Sequence, residues 1–227
     1  MHIERIISKR EMYKMKSAIM KSYYRIKGIG IFALIPVIIL YILIPGISYS
    51  VYLTNQDMEE VYTYFVENSQ YICPLFSVWL LFFILYHLVE QPGCEILYVD
   101  GIYKWSELFI PYILYAIAML PLFGVFGWIF PNLWWLYLKL CVVDLLYASI
   151  VYAFSYLFRK IIPGIIVVLL YAVLVFIGNY NMEAYTYFCG GVHTGRGFVM
   201  EMAPILGESV VFLLIGAVFN KRFVRKW

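Results

Sequence analysis

Long apolar runs alternate with short polar breaks along this chain. Six runs stand out, at residues 29–53, 71–89, 108–129, 134–158, 161–178 and 205–219. A membrane-spanning helix needs roughly 20 mainly apolar residues, and most of these runs approach or exceed that length. In hydrocarbon the backbone N–H and C=O groups must be paired internally, which leaves helices or a closed barrel. The two-residue alternation of barrel strands is absent, so the pattern predicts six transmembrane helices. Pro36, Pro45, Pro111 and Pro121 fall inside the runs and are expected to bend them.

The segments outside the runs have characters of their own. In residues 1–28, Met12, Met15, Ile19, Tyr23 and Ile26 recur at spacings of three and four, with lysines on the other faces. That pattern reads as an amphipathic helix lying on the inner leaflet, the alternative being a solvated basic tail that only fixes topology. Residues 52–70 carry Asp57, Glu59, Glu60 and Glu67 without any Lys or Arg, and read as an outer loop. Residues 179–204 are polar and glycine-rich. Two short helices dipping back into the outer leaflet would fit them, as would an ordinary exposed loop.

Composition strengthens this picture. Of 227 residues, 64% are hydrophobic and only 14% charged, with a mean hydropathy of +0.83. Soluble domains are about half apolar and a quarter charged, so the expected class is an all-α membrane protein. The formal net charge of +3 is small but unevenly placed. Eight of the 17 Lys and Arg residues lie in residues 1–28, and Arg159, Lys160, Lys221, Arg222, Arg225 and Lys226 follow the fourth and sixth runs. The segments on the opposite side hold only Arg196. The positive-inside rule then predicts a multi-pass plasma-membrane protein with both termini in the cytoplasm, 220–227 forming a basic tail. Trp128, Trp134 and Trp135 fall at the predicted outer boundary, Trp105 and Trp227 at the inner one, as an aromatic belt requires.

Candidate chemistry is sparse. There is no phosphate-binding glycine loop, no paired histidine motif and no His/Cys cluster, so no catalytic or metal-ligating set is expected, nor any feature for nucleic acid. Cys73, Cys94, Cys141 and Cys189 occur singly; Cys73 and Cys189 both lie towards the outer side, which leaves a disulfide between them open. Ionisable residues within spans are costly and mark function by default, which singles out Lys139, Asp144 and Glu208. Lys139 and Asp144 are five apart, about 140° around a helix, and pair poorly with each other. Lys139 is expected to snorkel to the outer interface, and Asp144 to face another helix or a polar cavity. A structural interhelical hydrogen bond explains Asp144 and Glu208 equally well.

One inner segment breaks the charge pattern. Residues 90–107 carry Glu90, Glu95, Asp100 and Glu107 against a single Lys104. Orientation depends on Lys and Arg rather than on acids, so these carboxylates need another reason. A basic groove on a soluble partner is one, and plain solvation of a surface loop is the other.

Within this segment Glu90-x-x-Gly93-x-Glu95-x-Leu97 resembles the E-x-x-G-T-x-E-x-L signature that follows the second span of type-2 ABC exporter permeases. Cys94 stands where that family usually has Thr, and Pro92 precedes the glycine. Six spans, cytoplasmic ends, an amphipathic first helix and a long connection before the last span extend the likeness over the whole chain. The resemblance implies that Glu90, Gly93, Glu95 and Leu97 form a coupling helix docked on a separate cytoplasmic ABC ATPase subunit. It implies a working unit of two permease chains, homo- or heterodimeric, and two ATPases in membrane lipid. The chain itself would then be no enzyme and would bind no cofactor, ATP and Mg residing on the partner. The expected function is efflux of a hydrophobic or amphipathic substrate such as a peptide antibiotic, drug or lipid. The alternative is a small membrane substrate-binding subunit of a vitamin-type uptake transporter.

Overall fold

The computed structural model describes residues 26–92, 105–181 and 194–224, together with Met20, Tyr23, Tyr24, Cys94 and Tyr98. Among these residues it is helical throughout, without a strand. A short 3₁₀ turn, Gly30–Ala33, leads into α1 (Ile35–Asn55), followed by α2 (Met58–Val89), α3 (Trp105–Ile129), α4 (Leu133–Phe158), α5 (Ile161–Asn181) and α6 (Arg196–Val224). Five helices are long and apolar enough to cross a membrane: Ile26–Asn55, which contains α1, then α2, the Glu107–Ile129 part of α3, α4, and the Arg196–Phe223 part of α6. In α5 the apolar stretch is the shorter Ile161–Leu174. Most of the expected amphipathic segment, residues 1–19, lies outside the described residues, as do most of the 90–104 loop and residues 182–193.

Helix ends depart from the hydropathy reading in two places. The expected outer loop 52–70 forms the last turn of α1, a tight turn and the first turns of α2. Gln56 takes a left-handed conformation (φ 52°), and Asp57 caps α2 by accepting the Glu59 N–H at 2.9 Å. Glu59 and Glu60 occupy the first turn, where carboxylates face the positive end of the helix dipole. Acidity here opens a helix instead of filling a loop. At the other end of the sequence, α6 begins at Arg196, nine residues before the expected start at 205. Pro204 lies inside it, removing one backbone donor without ending the helix. Residues 196–204 are therefore the opening turns of a continuous helix.

Packing places α2 and α4 at the centre. On one flank Leu40 and Ile44 of α1 and Tyr115 and Phe123 of α3 close over Phe65 and Cys73 of α2 and Leu136 of α4. On the other, Ile161 and Val168 of α5 and Ile205 and Phe223 of α6 pack on Leu85 and Leu88 of α2 and Val151 and Tyr152 of α4. Lipid tails are as apolar as leucine, so such helices associate through close fit and polar contacts, not through hydrophobic transfer. Two glycines permit that fit. A Cβ at Gly164 of α5 would lie 2.9 Å from the Val151 carbonyl oxygen, and one at Gly216 of α6 would lie 2.3 Å from Cδ1 of Tyr152. The result is that α4 is the most enclosed of the five span-length helices and the first helix the least.

Candidate functional site

Glu90 ends α2 and also starts α5. Its own N–H reaches the Tyr86 carbonyl at 3.0 Å, closing the last turn. Its Oε1 accepts the Ile161 N–H, the first of α5, at 2.5 Å. The first four N–H groups of any helix lack intrahelical partners, and a carboxylate at that end meets the favourable end of the dipole. Arg159, left-handed at φ 57°, turns the chain between α4 and α5. Its guanidinium lies 5.9 Å from the centroid of the Phe223 ring. One side chain therefore joins the α2–α3 loop to the α4–α5 turn.

A second anchor comes from Tyr98, whose ring is buried in the junction of α2, α4 and α6. Its hydroxyl donates to the Leu88 carbonyl at 3.1 Å. The Tyr156 hydroxyl lies 2.8 Å away, and with the Tyr98 proton committed to Leu88 it is Tyr156 that donates. Phe223 of α6 packs on both rings, 5.7 Å from Tyr98 and 5.8 Å from Tyr156 between centroids. Asn220 extends the network by donating to the Tyr152 hydroxyl at 3.1 Å. Of the four motif residues only Glu90 is described; Gly93, Glu95 and Leu97 lie outside the described residues.

The ionisable residues within the helices separate into three environments. Lys139 does not snorkel. It is 1% exposed, and its Nζ pairs with Glu201 Oε1 of α6 at 2.5 Å. The reason is that Glu201, in the segment expected to precede the last span, belongs to the second turn of α6 and presents a buried carboxylate at the same level. Asp144 is also buried, facing α2 and α3, with Oδ1 lacking a hydrogen-bond partner. Ser77 of α2 stands within hydrogen-bonding reach of its carboxyl and also lies 2.7 Å from Pro74 O, whereas Tyr112 donates to Cys141 O at 3.0 Å and Tyr115 to Cys73 O at 2.6 Å. Cys73 is a buried free thiol, and Cys189 lies outside the described residues. Glu208 stands apart from both, exposed on the outward face of α6 beside Leu206 and Val210.

Two cavities lie along the seam between α2 and α5. One, of about 220 Å³, is also walled by α4 and is lined by Gln70, Tyr71 and Lys139 with apolar neighbours. The other, of about 240 Å³, is lined entirely by apolar side chains, among them Trp79, Phe82 and Ile165. Leu75 and Leu169 line both, so the cavities adjoin.

Sequence reasoning missed Glu201, Tyr98, Tyr156 and Asn220. Glu201 carried one usable signal: once the helix is extended back through Pro204 it becomes an ionisable residue within a span. An all-helical fold with five helices long and apolar enough to cross a membrane marks a protein of membrane type. Comparison with known protein families, with curated proteins and with solved structures finds no match in any of the three.

Proposed function

We propose that this chain is the transmembrane permease subunit of an ATP-driven exporter, with six spans and both termini in the cytoplasm. In this reading residues 90–107 are the element on which a separate ATPase subunit acts, and a second permease chain completes the unit. ATP is hydrolysed on the partner, and the cargo is hydrophobic or amphipathic.

The observation that carries the reading is the double attachment of the 90–107 segment. Glu90 holds the start of α5, and Tyr98 holds α4 and, through Phe223, α6. A displacement of this segment by a soluble partner is thus passed to three helices at once. A charged cap and a buried hydroxyl pair transmit force because breaking either leaves a buried polar group without a partner. The bundle then moves between two states, biased by the difference in ATP affinity between them. The E-x-x-G-x-E-x-L pattern at Glu90 supplies the acidic surface for the partner.

The test is affinity capture of the tagged chain from its native membranes in mild detergent, alongside Glu95→Arg. An ABC ATPase recovered near one-to-one with the wild type and lost with Glu95→Arg supports the proposal. An ATPase retained despite the charge reversal moves the contact elsewhere and favours the vitamin-type uptake subunit. Absence of any ATPase under several mild conditions overturns the transport reading.

A further inference from the structure

The adjoining cavities between α2 and α5 form one slot with a polarity gradient. From Gln70 to Phe82 it follows twelve residues of α2, about 18 Å at the helical rise. Gln70, Tyr71 and Lys139 stand at one end, and the far end is wholly apolar. Among the described residues that line it, Lys139 is the one charged side chain, and no carboxylate is present. The slot is therefore long enough for a single hydrocarbon chain and has one ammonium group at its polar end.

Lys139 has two allegiances. It lines the slot on the α2–α5 side of α4, yet its ammonium is held by Glu201 on α6 at 2.5 Å. The pair is incompletely consolidated: Glu201 Oε2 is buried without a hydrogen-bond partner. An ammonium has three N–H donors, so a second anion at the slot can share it or take it.

We propose that the slot binds a linear amphiphile with an anionic, fatty-acid-like head, its chain running past Leu75, Trp79 and Phe82, and that the head competes with Glu201 for Lys139. Occupancy then loosens α6 from α4 at the Lys139 level, so that ligand entry and helix release are one event. Naming this ligand as the cargo rests on the transport reading above; its binding does not.

The experiment uses the full chain in nanodiscs of zwitterionic lipid, probed with a chain-brominated fatty acid and with the matching brominated alcohol. Bromine quenches tryptophan on contact, and the difference between wild type and Trp79→Phe isolates the slot. The expected result is saturable quenching of Trp79 by the acid, with the alcohol weaker by at least tenfold in half-saturating concentration. Glu201→Gln, which frees the ammonium, tightens the acid several-fold. Lys139→Met alone leaves a buried unpaired carboxylate, so the decisive variant is Lys139→Met with Glu201→Gln, which abolishes the preference for acid over alcohol. Equal quenching by the two probes, unsaturable quenching, or a preference that survives the double variant overturns the proposal. Loss of ATPase capture with the acid preference intact removes the cargo role alone; equal quenching with ATPase capture intact removes the slot alone.

Discussion

Replacing Gly216 by alanine introduces a Cβ where α6 lies against Tyr152 and Ala153 of α4. That atom would lie 2.3 Å from Cδ1 and 2.5 Å from Cε1 of Tyr152, and 3.2 Å from the Ala153 Cα. Carbon atoms attract at about 3.5–4.0 Å, so roughly 1.2 Å of separation has to be found. The Tyr152 ring has little room to yield. It is fully buried, its centroid is 5.0 Å from that of Tyr156, and its hydroxyl is held by Asn220. The backbone of Ala153 blocks the other direction, so α6 itself must retreat. Overpacking of this kind costs about 1–3 kcal/mol, which is about a 5- to 150-fold shift in the unfolding equilibrium. The assay is unfolding of the purified chain by titration with a denaturing detergent, followed by circular dichroism, for wild type, Gly216→Ala, Tyr152→Leu and the double variant. Tyr152→Leu removes the clashing ring atoms, so the double variant should be more stable than the sum of the singles predicts, with a coupling of at least about 1 kcal/mol. A Gly216→Ala protein within about 0.5 kcal/mol of wild type, with no coupling to Tyr152, refutes this account of the α4–α6 contact.

The remaining predictions address the polar contacts. Lys139→Met strands the buried Glu201 carboxylate and should destabilise by about 3–5 kcal/mol, whereas Lys139→Met with Glu201→Leu should come within about 1 kcal/mol of wild type; the same titration measures both, and equal losses would refute the pair. Glu90→Ala removes a charge-assisted bond from the first amide of α5, weakening that turn by about 1.5–3 kcal/mol. Hydrogen exchange should then accelerate at Ile161 while the middle of α4 stays protected. Asp57→Ala deletes the cap of α2 at about 1 kcal/mol, visible as faster exchange at Glu59 and Glu60 without change at α5.

The helical, membrane-type character of the chain was legible because length and apolarity alone define it. The ends of α3 and α4 were legible too, since Phe130, Pro131 and Asn132 interrupt the apolar pattern sharply. The start of α2 was hidden because hydropathy treats Glu59 and Glu60 as loop residues, while a helix dipole treats them as a favourable first turn. Among candidate site residues, Asp144 was expected to face another helix or a polar cavity, and it is buried beside Ser77 of α2. Lys139 was misjudged because its distance from the helix end suggested snorkelling, and nothing local announces a carboxylate 62 residues later. Glu90 stood out by composition, but its bond to the Ile161 amide depends on how two loops meet. Tyr98 had no distinguishing pattern in the sequence, since an aromatic ring in an inner loop is commonplace at a membrane surface.

The pairing of Lys139 with Glu201 has a consequence for the order in which the protein is made. The lysine enters with α4, but its counter-ion is 62 residues further along and arrives only with α6. At about 5–20 residues per second of synthesis, the nascent bundle holds an uncompensated cation for about 3–12 s. During that interval α4, with the lowest mean hydropathy of the five span-length helices at 1.8, is the helix least able to settle in lipid alone. Synthesis of the last helix therefore also completes the one before its neighbour, and a chain stopped ahead of Glu201 would present Lys139 to the quality-control machinery of the membrane as an unsealed charge.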